Sequence, residues 1–367
     1  MKSLMNEMAN APGEAYQAGY NEGYRFGGCR AVLDRIPAVS REKRGWRVLY
    51  VPQGFEAIDG GVAAALQEAV HESKVASPET MLQEAEQFRP DLVLVMNALH
   101  VFPADHAEQI SRIREMGMRT AVWFVDDPYF TDDTRNLSLF YDLVFTHEME
   151  CVSLYRDAGC REVHYLPLAA NPQVFRPVRT GPEHRFDVCF IGNAFWNRVE
   201  LFDHLTEFLQ DKKVLIAGGY WERLTNYDRL ARFIRPGWIP PEETVPYYNG
   251  SKIVINIHRP TLTGQDNRNG LNITGGSINP RTYEIAACGA FQITDVRSDL
   301  TSYYHPGYDI ETFRDAAELR DKIAYYLERE QERQQIAWRA LWTTRRDHTF
   351  GDRIGRLLEA VFADGSR

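Results

Sequence analysis

Residues 277–295 (Ser-Ile-Asn-Pro-Arg-Thr-Tyr-Glu-Ile-Ala-Ala-Cys-Gly-Ala-Phe-Gln-Ile-Thr-Asp) carry the densest chemical signal in this 367-residue chain. Asn279 is a helix-capping type, and Pro280 suits the first helical position, where its missing N–H costs nothing. Gly289 ends the short helix, and 290–294 reads as a buried strand. A helix N-terminus presents free N–H groups and partial positive charge. Arg281 adds a full charge, so the turn suits an anion such as a diphosphate. Glu284, one turn further in, is placed to accept hydrogen bonds from a ribose. An ordinary capped helix with a solvated Arg and Glu carries the same local pattern.

Other segments offer chemistry of their own. The apolar run 188–191 passes straight into Gly192-Asn193, with Arg198 at a helix start. Gly192 permits close backbone approach and Arg198 can reach a phosphate, although a tight turn with a surface Arg reads the same way. The spacing is not the Gly-x-Gly-x-x-Gly of a dinucleotide site. Asn256-Ile-His258-Arg259 closes another strand. The segment 260–278 that follows is long, polar and rich in Gly and Asn, with Asn267 and Arg268 in its middle. A loop of that length is either a lid that orders over a ligand or a mobile insertion. Earlier in the chain, His100 stands just past one apolar run, and Asp126-Asp127 end another. Neighbouring side chains on an extended chain point opposite ways, so the two carboxylates do not readily face one metal ion. His100 is either a reacting group or a buried, satisfied imidazole.

These residues need a scaffold, and the apolar pattern supplies one. Strands are expected at 48–51, 92–96, 120–125, 143–146 and 163–166, with helices at 61–72, 105–116 and 148–158. Such alternation predicts a parallel sheet covered on both faces. Prolines at 167, 172, 177 and 182 interrupt it and mark a linker. A second series follows, with strands at 188–191, 214–217 and 253–258, helices at 198–210 and 240–248, and the helix and strand of 280–294. Long helices at 316–329 and 332–345 lead into Phe350-Gly-Asp-Arg353. The parts are therefore a partly helical extension 1–45, a first α/β domain 46–170, a linker 171–182, a second α/β domain 183–340, and a C-terminal helix 341–367. Within the extension a helix is expected over 14–33, where Gly19, Tyr20, Gly23, Tyr24 and Gly27 recur without a functional explanation.

Arg281-Thr-Tyr-Glu284, Ala286-Ala-Cys-Gly289 and Thr294-Asp295 resemble the donor-site helix of GT-B glycosyltransferases. More specifically, they resemble the spore-maturation (CgeB-like) family, related to the group 1 glycosyltransferases. Trp123-Phe-Val-Asp-Asp-Pro128, Asp187-Val-Cys-Phe-Ile-Gly-Asn193, Gly218-Gly219, Ser251-Lys-Ile-Val-Ile-Asn256, and His348-Thr-Phe350 with Arg353 fit in the same order. The resemblance implies two Rossmann-like doubly wound domains facing a central cleft, with the last helix crossing back onto the first. It implies retaining transfer of a sugar from a nucleotide diphosphate sugar to a cell-surface, spore or protein-glycan acceptor, with no cofactor or metal. Gly192, Asn193 and Arg198 would lie beneath the diphosphate. Trp238 and Ile239 would meet the nucleobase, a buried structural Trp being the competing reading. His258, Asn279, Arg281, Tyr283 and Glu284 would complete the nucleotide-sugar site. Asp126 and His100 would face the acceptor or the reacting sugar, and Asp127 would cap the following turn. Many retaining relatives carry two glutamates separated by seven residues. Glu284 matches the second, but Gly276 stands where the first would be. Main-chain N–H groups of Gly275, Gly276 or Ser277 are the candidates to take its place.

Composition narrows the alternatives. A net charge of −9 argues against general attraction to nucleic acid or anionic lipid. No apolar run approaches the roughly 18 residues needed to span a bilayer, and 1–14 lacks the basic and apolar regions of a secretion signal. The five cysteines show neither zinc nor disulfide spacing, as in a reduced, cytoplasmic protein. Two other readings fit the same fold. One is a non-hydrolysing UDP-sugar epimerase, whose acid–base pair is not identifiable here. The other is a catalytically silent spore or envelope assembly protein, which Gly276 keeps open.

Overall fold

The computed structural model describes residues 2–37 and 42–363. Its strands form two six-stranded sheets. The first contains β1 (Arg44–Val51), β2 (Val70–Val75), β3 (Leu92–Met96), β4 (Arg119–Phe124), β5 (Leu143–Thr146) and β6 (Glu162–Tyr165), in the order β2-β1-β3-β4-β5-β6. The second contains β7 (Phe186–Ile191), β8 (Val214–Gly218), β9 (Ile234–Pro236), β10 (Ser251–Asn256), β11 (Gln292–Asp295) and β12 (Glu311–Phe313), in the order β12-β11-β10-β7-β8-β9. All pairings are parallel. The sequence of β3, Leu-Val-Leu-Val-Met, is buried at every position. A strand hidden on both faces needs helices on both sides of its sheet.

Those helices are α1 (Lys2–Leu33), α2 (Glu56–Ala69), α3 (Met81–Phe88), α4 (His106–Glu115), α5 (Thr131–Leu137), α6 (Cys151–Ala158), α7 (Trp196–Leu209), α8 (Tyr227–Leu230), α9 (Pro241–Gly250), α10 (Pro280–Ala287), α11 (Ala316–Leu327), α12 (Glu330–Asp347) and α13 (Phe350–Phe362). The architecture is the doubly wound α/β pair expected from the sequence. Strand order reverses between β1 and β3 in the first sheet and between β7 and β10 in the second. Ligands of such sheets sit beyond the carboxyl ends of the strands at these switch points. Gly192-Asn193 follows β7 and His258 follows β10, so both lie where the second sheet is open to a ligand.

Several elements differ from the sequence expectation. The helix after β1 ends at Ala69, because 70–75 pairs with β1 as a mostly exposed edge strand. β9 and β12 are three residues long, too short to leave a period in the sequence. α1 begins at Lys2 instead of Glu14. It docks against α12, where any Cβ at Gly28 would strike the Trp338 ring. α12 runs unbroken through position 341.

α13 packs on α2, burying Ile354, Leu357, Leu358 and Val361 in the core of the first domain. The i, i+3, i+4, i+7 spacing of these residues makes one apolar helix face. Thr349 and Asp352 close its N-terminus as a capping box. Chain crossings at 170 and 349 pair through a β-bridge, with Ala170 N–H donating to His348 O at 3.0 Å and Phe350 N–H to Ala170 O at 3.3 Å.

The end of β8 touches the end of β7. Gly218 has φ +137°, and a Cβ there would stand 2.2 Å from the Gly192 carbonyl oxygen. Gly218→Ala is expected to destabilise the protein by about 2–3 kcal/mol, measured by denaturant unfolding, because backbone rather than a flexible side chain must yield.

Candidate functional site

The N-terminus of α10 is held by a chain of buried polar groups. The Asn279 side chain accepts the Thr282 N–H at 3.1 Å and exchanges amide hydrogen bonds with Asn256 at 2.9 and 3.0 Å. His258 Nε2 accepts the Asn279 N–H at 2.9 Å, while its Nδ1 lies 2.6 Å from Asp295. Arg297 pairs with the other Asp295 oxygen at 2.7 Å. Burial pulls His258 down to about 4 despite Asp295, so it is neutral near pH 7 with its proton on Nδ1. Burial alone would raise Asp295, but His258 and Arg297 outweigh it and hold the carboxyl well below the usual range. Both ring nitrogens of His258 are engaged in positioning the helix cap, and the residue also lines the inner cavity of the cleft. Tyr283, by contrast, stands away from the cleft. It is fully buried among Tyr303, Tyr304 and His348 and lines neither cavity at the cleft. It sits one position before Glu284 on α10 and therefore faces another way.

Two cavities open at the α10 N-terminus. An outer one of ≈ 340 Å³ is lined by Gly192, Asn193, Trp238, Ile239 and Glu284. An inner one of ≈ 270 Å³ is lined by Asp126, His147, Glu148, Arg198 and Arg259. They share Phe55, Ile58, Asn193, Pro280 and Arg281, so Arg281 stands at their junction. Trp238 is 78% exposed, which leaves its ring face open and removes the structural-core reading, while Ile239 is buried. Burial pushes Glu284 up to about 7, against the pull of Arg281.

Arg198 is buried, and its guanidinium donates to Asn193 O at 2.8 Å and Ile257 O at 2.5 Å. It ties the β7 and β10 loops together at the wall of the inner cavity, leaving Nε without a partner. Burial, then the neighbouring Arg281, pull its pKa down to about 9, so it stays charged at pH 7.

The adjacent aspartates point apart, although they lie in the turn that follows β4 instead of on an extended strand. Asp126 lines the inner cavity and accepts from Asn97 Nδ2 at 2.8 Å. Asp127 is fully buried and accepts from Tyr155 Oη at 2.8 Å and Thr146 Oγ at 2.6 Å, so it braces α6 and β5 instead of capping a turn. His100 lies outside both cavities. It is exposed, edge-on to Phe130, at a separate surface pocket with Asp132, Asp133 and Arg268. His100 and Asp126 therefore line different pockets, although His100 is near enough for its charge to favour the Asp126 carboxylate.

Residues 260–276 line neither cavity. The loop instead docks on the first domain. Arg268 N–H donates to Tyr129 O at 2.7 Å, Gly270 N–H to Asp132 at 2.8 Å and Thr131 Oγ to Asn269 at 2.9 Å. Among the described residues no three His, Cys, Asp or Glu side chains gather as a metal site. No helix among the described residues is long and apolar enough to cross a membrane.

Sequence reasoning missed the end of β5. Glu148 is 1% exposed and reaches across the cleft, accepting the Gly276 N–H at 3.0 Å and the Ser277 N–H at 3.1 Å. Ser277 Oγ in turn accepts the Met149 N–H at 3.0 Å. Two of the three main-chain groups expected to stand in for the missing glutamate, those of Gly276 and Ser277, are thus occupied by a carboxylate from the first domain. Burial raises Glu148 to about 7, more than its N–H partners pull back. Folding therefore favours its protonated form. Its stabilisation is complete below the ordinary value of 4.5 and is lost as pH climbs from there to about 7. Glu148→Gln should flatten this part of the pH dependence, on the order of 2–3 kcal/mol, when denaturant unfolding at pH 5 and pH 8 is compared with the native protein.

Two facing Rossmann-like sheets, with a capped helix and a cation at the cleft, define the GT-B fold. HepE of Anabaena, solved with UDP and glucose, superposes with a TM-score of 0.56 at 12% identity, covering 87% of this chain and 100% of that one. A glycosyltransferase from Rickettsia africae ESF-5 superposes at 0.58 with 12% identity, covering 87% and 98%. Residues 198–359 match the family described as glycosyl transferase-like. The spore protein CgeB of Bacillus subtilis (strain 168) is 30% identical over 299 residues, 79% of this chain and 91% of that protein. The chain belongs to the CgeB-like family of GT-B glycosyltransferases.

Proposed function

We propose that this protein transfers a sugar from a nucleoside diphosphate sugar to an acceptor hydroxyl. The observation that carries this reading is Arg281, which lines both cavities and has no ion pair or hydrogen bond with any described residue. An unpaired guanidinium between two chambers suits a diphosphate that joins a nucleoside to a sugar. Trp238 then offers its face to the base, and Glu284 accepts from the ribose. As the sugar leaves, charge building on the diphosphate meets Arg281 and the first-turn N–H groups of α10, so the protein supplies the positive charge a metal would. Asp126 faces the acceptor hydroxyl or the reacting sugar. Retention of configuration and hexosyl transfer rest on kinship with group 1 enzymes. A spore or cell-surface acceptor rests on the name of the Bacillus relative.

The test is a thermal-shift screen in chelator against UDP, GDP, dTDP, CDP, ADP and their sugar conjugates, followed by turnover with whichever binds. A ligand that binds only the native state raises Tm by mass action. A selective rise with one nucleotide is expected, and no rise with any would overturn the reading. Turnover that needs added manganese would overturn the metal-independent part.

A further inference from the structure

Besides Arg281, the inner cavity carries a second described side chain whose polar atoms are unserved. His147 follows β5, is 5% exposed and lines the cavity beside Asp126, Glu148 and Arg259. Its backbone is fixed, with the N–H donating to Phe124 O at 3.1 Å. Neither ring nitrogen has a hydrogen-bond partner of good geometry; the main chain of Asp127 comes close enough to favour the charged ring, but burial outweighs it. The contrast with His258 on the same wall is direct, since both of its nitrogens are engaged. Buried polar groups in native proteins are almost always hydrogen-bonded, and an exception on a cavity wall calls for a partner from outside the chain.

The chemistry of that partner follows from the imidazole. Burial pulls His147 down to about 4, so near pH 7 it is neutral, with one N–H donor and one bare nitrogen acceptor. A hydroxyl also both donates and accepts. A phosphate only accepts, and Arg281 already stands nearer the junction where it would lie. We infer that His147 is a contact residue for a hydroxyl of the transferred sugar, supplied by the first domain and selecting sugars that bear a hydroxyl at that position. This rests on the nucleotide-sugar reading above. A site built to hydrogen-bond a hydroxyl discriminates strongly against an analogue that lacks it, because its own polar group is then left bare.

The experiment compares wild type, His147→Leu and His147→Asn by calorimetry. The probes are UDP, GDP and dTDP, and UDP-glucose, UDP-galactose, UDP-N-acetylglucosamine, GDP-mannose and dTDP-glucose. His147→Leu should bind the bare diphosphate within about twofold of wild type, yet bind the preferred sugar conjugate about tenfold or more weakly. His147→Asn, which keeps a donor and an acceptor, should recover part of the loss. The Tm of His147→Leu should equal or exceed that of wild type, because an unpaired buried polar group is replaced by an apolar one of similar size. Unchanged affinity for the sugar conjugate, with diphosphate binding intact, overturns the inference alone. Equal weakening for bare and sugar-bearing ligands overturns it too, making His147 a support of the fold. If wild type binds none of the probes, the donor-site reading falls and takes the inference with it.

Discussion

Arg281→Ala is expected to raise the Kd for the nucleoside diphosphate about ten- to a hundredfold while leaving Tm within a degree or two of wild type. A charge-assisted contact to phosphate is worth roughly 1.5–3 kcal/mol, which sets that range. The stability side follows from the geometry. Arg281 is half-buried and has no hydrogen bond or ion pair with a described residue, and truncating it trades its attraction to Glu284 against its repulsion of Arg198. Arg198, by contrast, serves two main-chain carbonyls, and its removal would weaken binding and fold together. Isothermal calorimetry and thermal melts on the same samples separate the two. A fall in Tm with unchanged Kd would remove Arg281 from the donor site.

Arg353→Ala is expected to show the opposite pattern, with a loss of about 3–5 kcal/mol and a Tm lower by roughly 5–15 °C. Arg353 is fully buried, with Nε donating to Pro167 O at 2.9 Å and Leu168 O at 3.1 Å, and Nη1 to Asp347 O at 3.2 Å. Its Nη2 lies 3.3 Å from His348 Nδ1. Burial, then the guanidinium, hold His348 down at about 4, so it is a neutral acceptor at pH 7. One truncation therefore leaves three carbonyls and an imidazole unserved, and buried acceptors without donors are costly. Denaturant unfolding measures the loss, and a change below about 1 kcal/mol would show that water serves those groups equally well.

What the sequence revealed and what it hid divide along physical lines. β3 and the buried stretches 188–191 of β7 and 253–255 of β10 were legible because both faces are covered there, which makes them unbroken apolar runs. β2, β9 and β12 were not, since they are edge or three-residue strands whose pairing comes from their neighbours. The full length of α1 was masked by Pro12-Gly13, which read as a break before the expected start at Glu14. At the site, the Asn279 cap was readable because capping is local. The roles of His258 and Tyr283 were not, because a partner 21 residues away and a buried aromatic cluster decide them. Glu148 meets Gly276 across 128 residues, beyond any local pattern. A signal did exist. His147-Glu148 end a buried strand just as Asp126-Asp127 do, and weighing every strand end in the same way would have reached them.

The paired crossings at Ala170 and Thr349 have a mechanical consequence. Two strands of chain joined by a bridge behave as a hinge pin, where a single linker would be a tether. Sliding and free twisting of one domain against the other would break the bridge, whereas rotation about it need not. The contacts of the 260–276 loop with 129–133 then act as a latch on the swinging side. Rotation about the bridge would therefore have to break the two N–H contacts of Glu148 together with those of the loop.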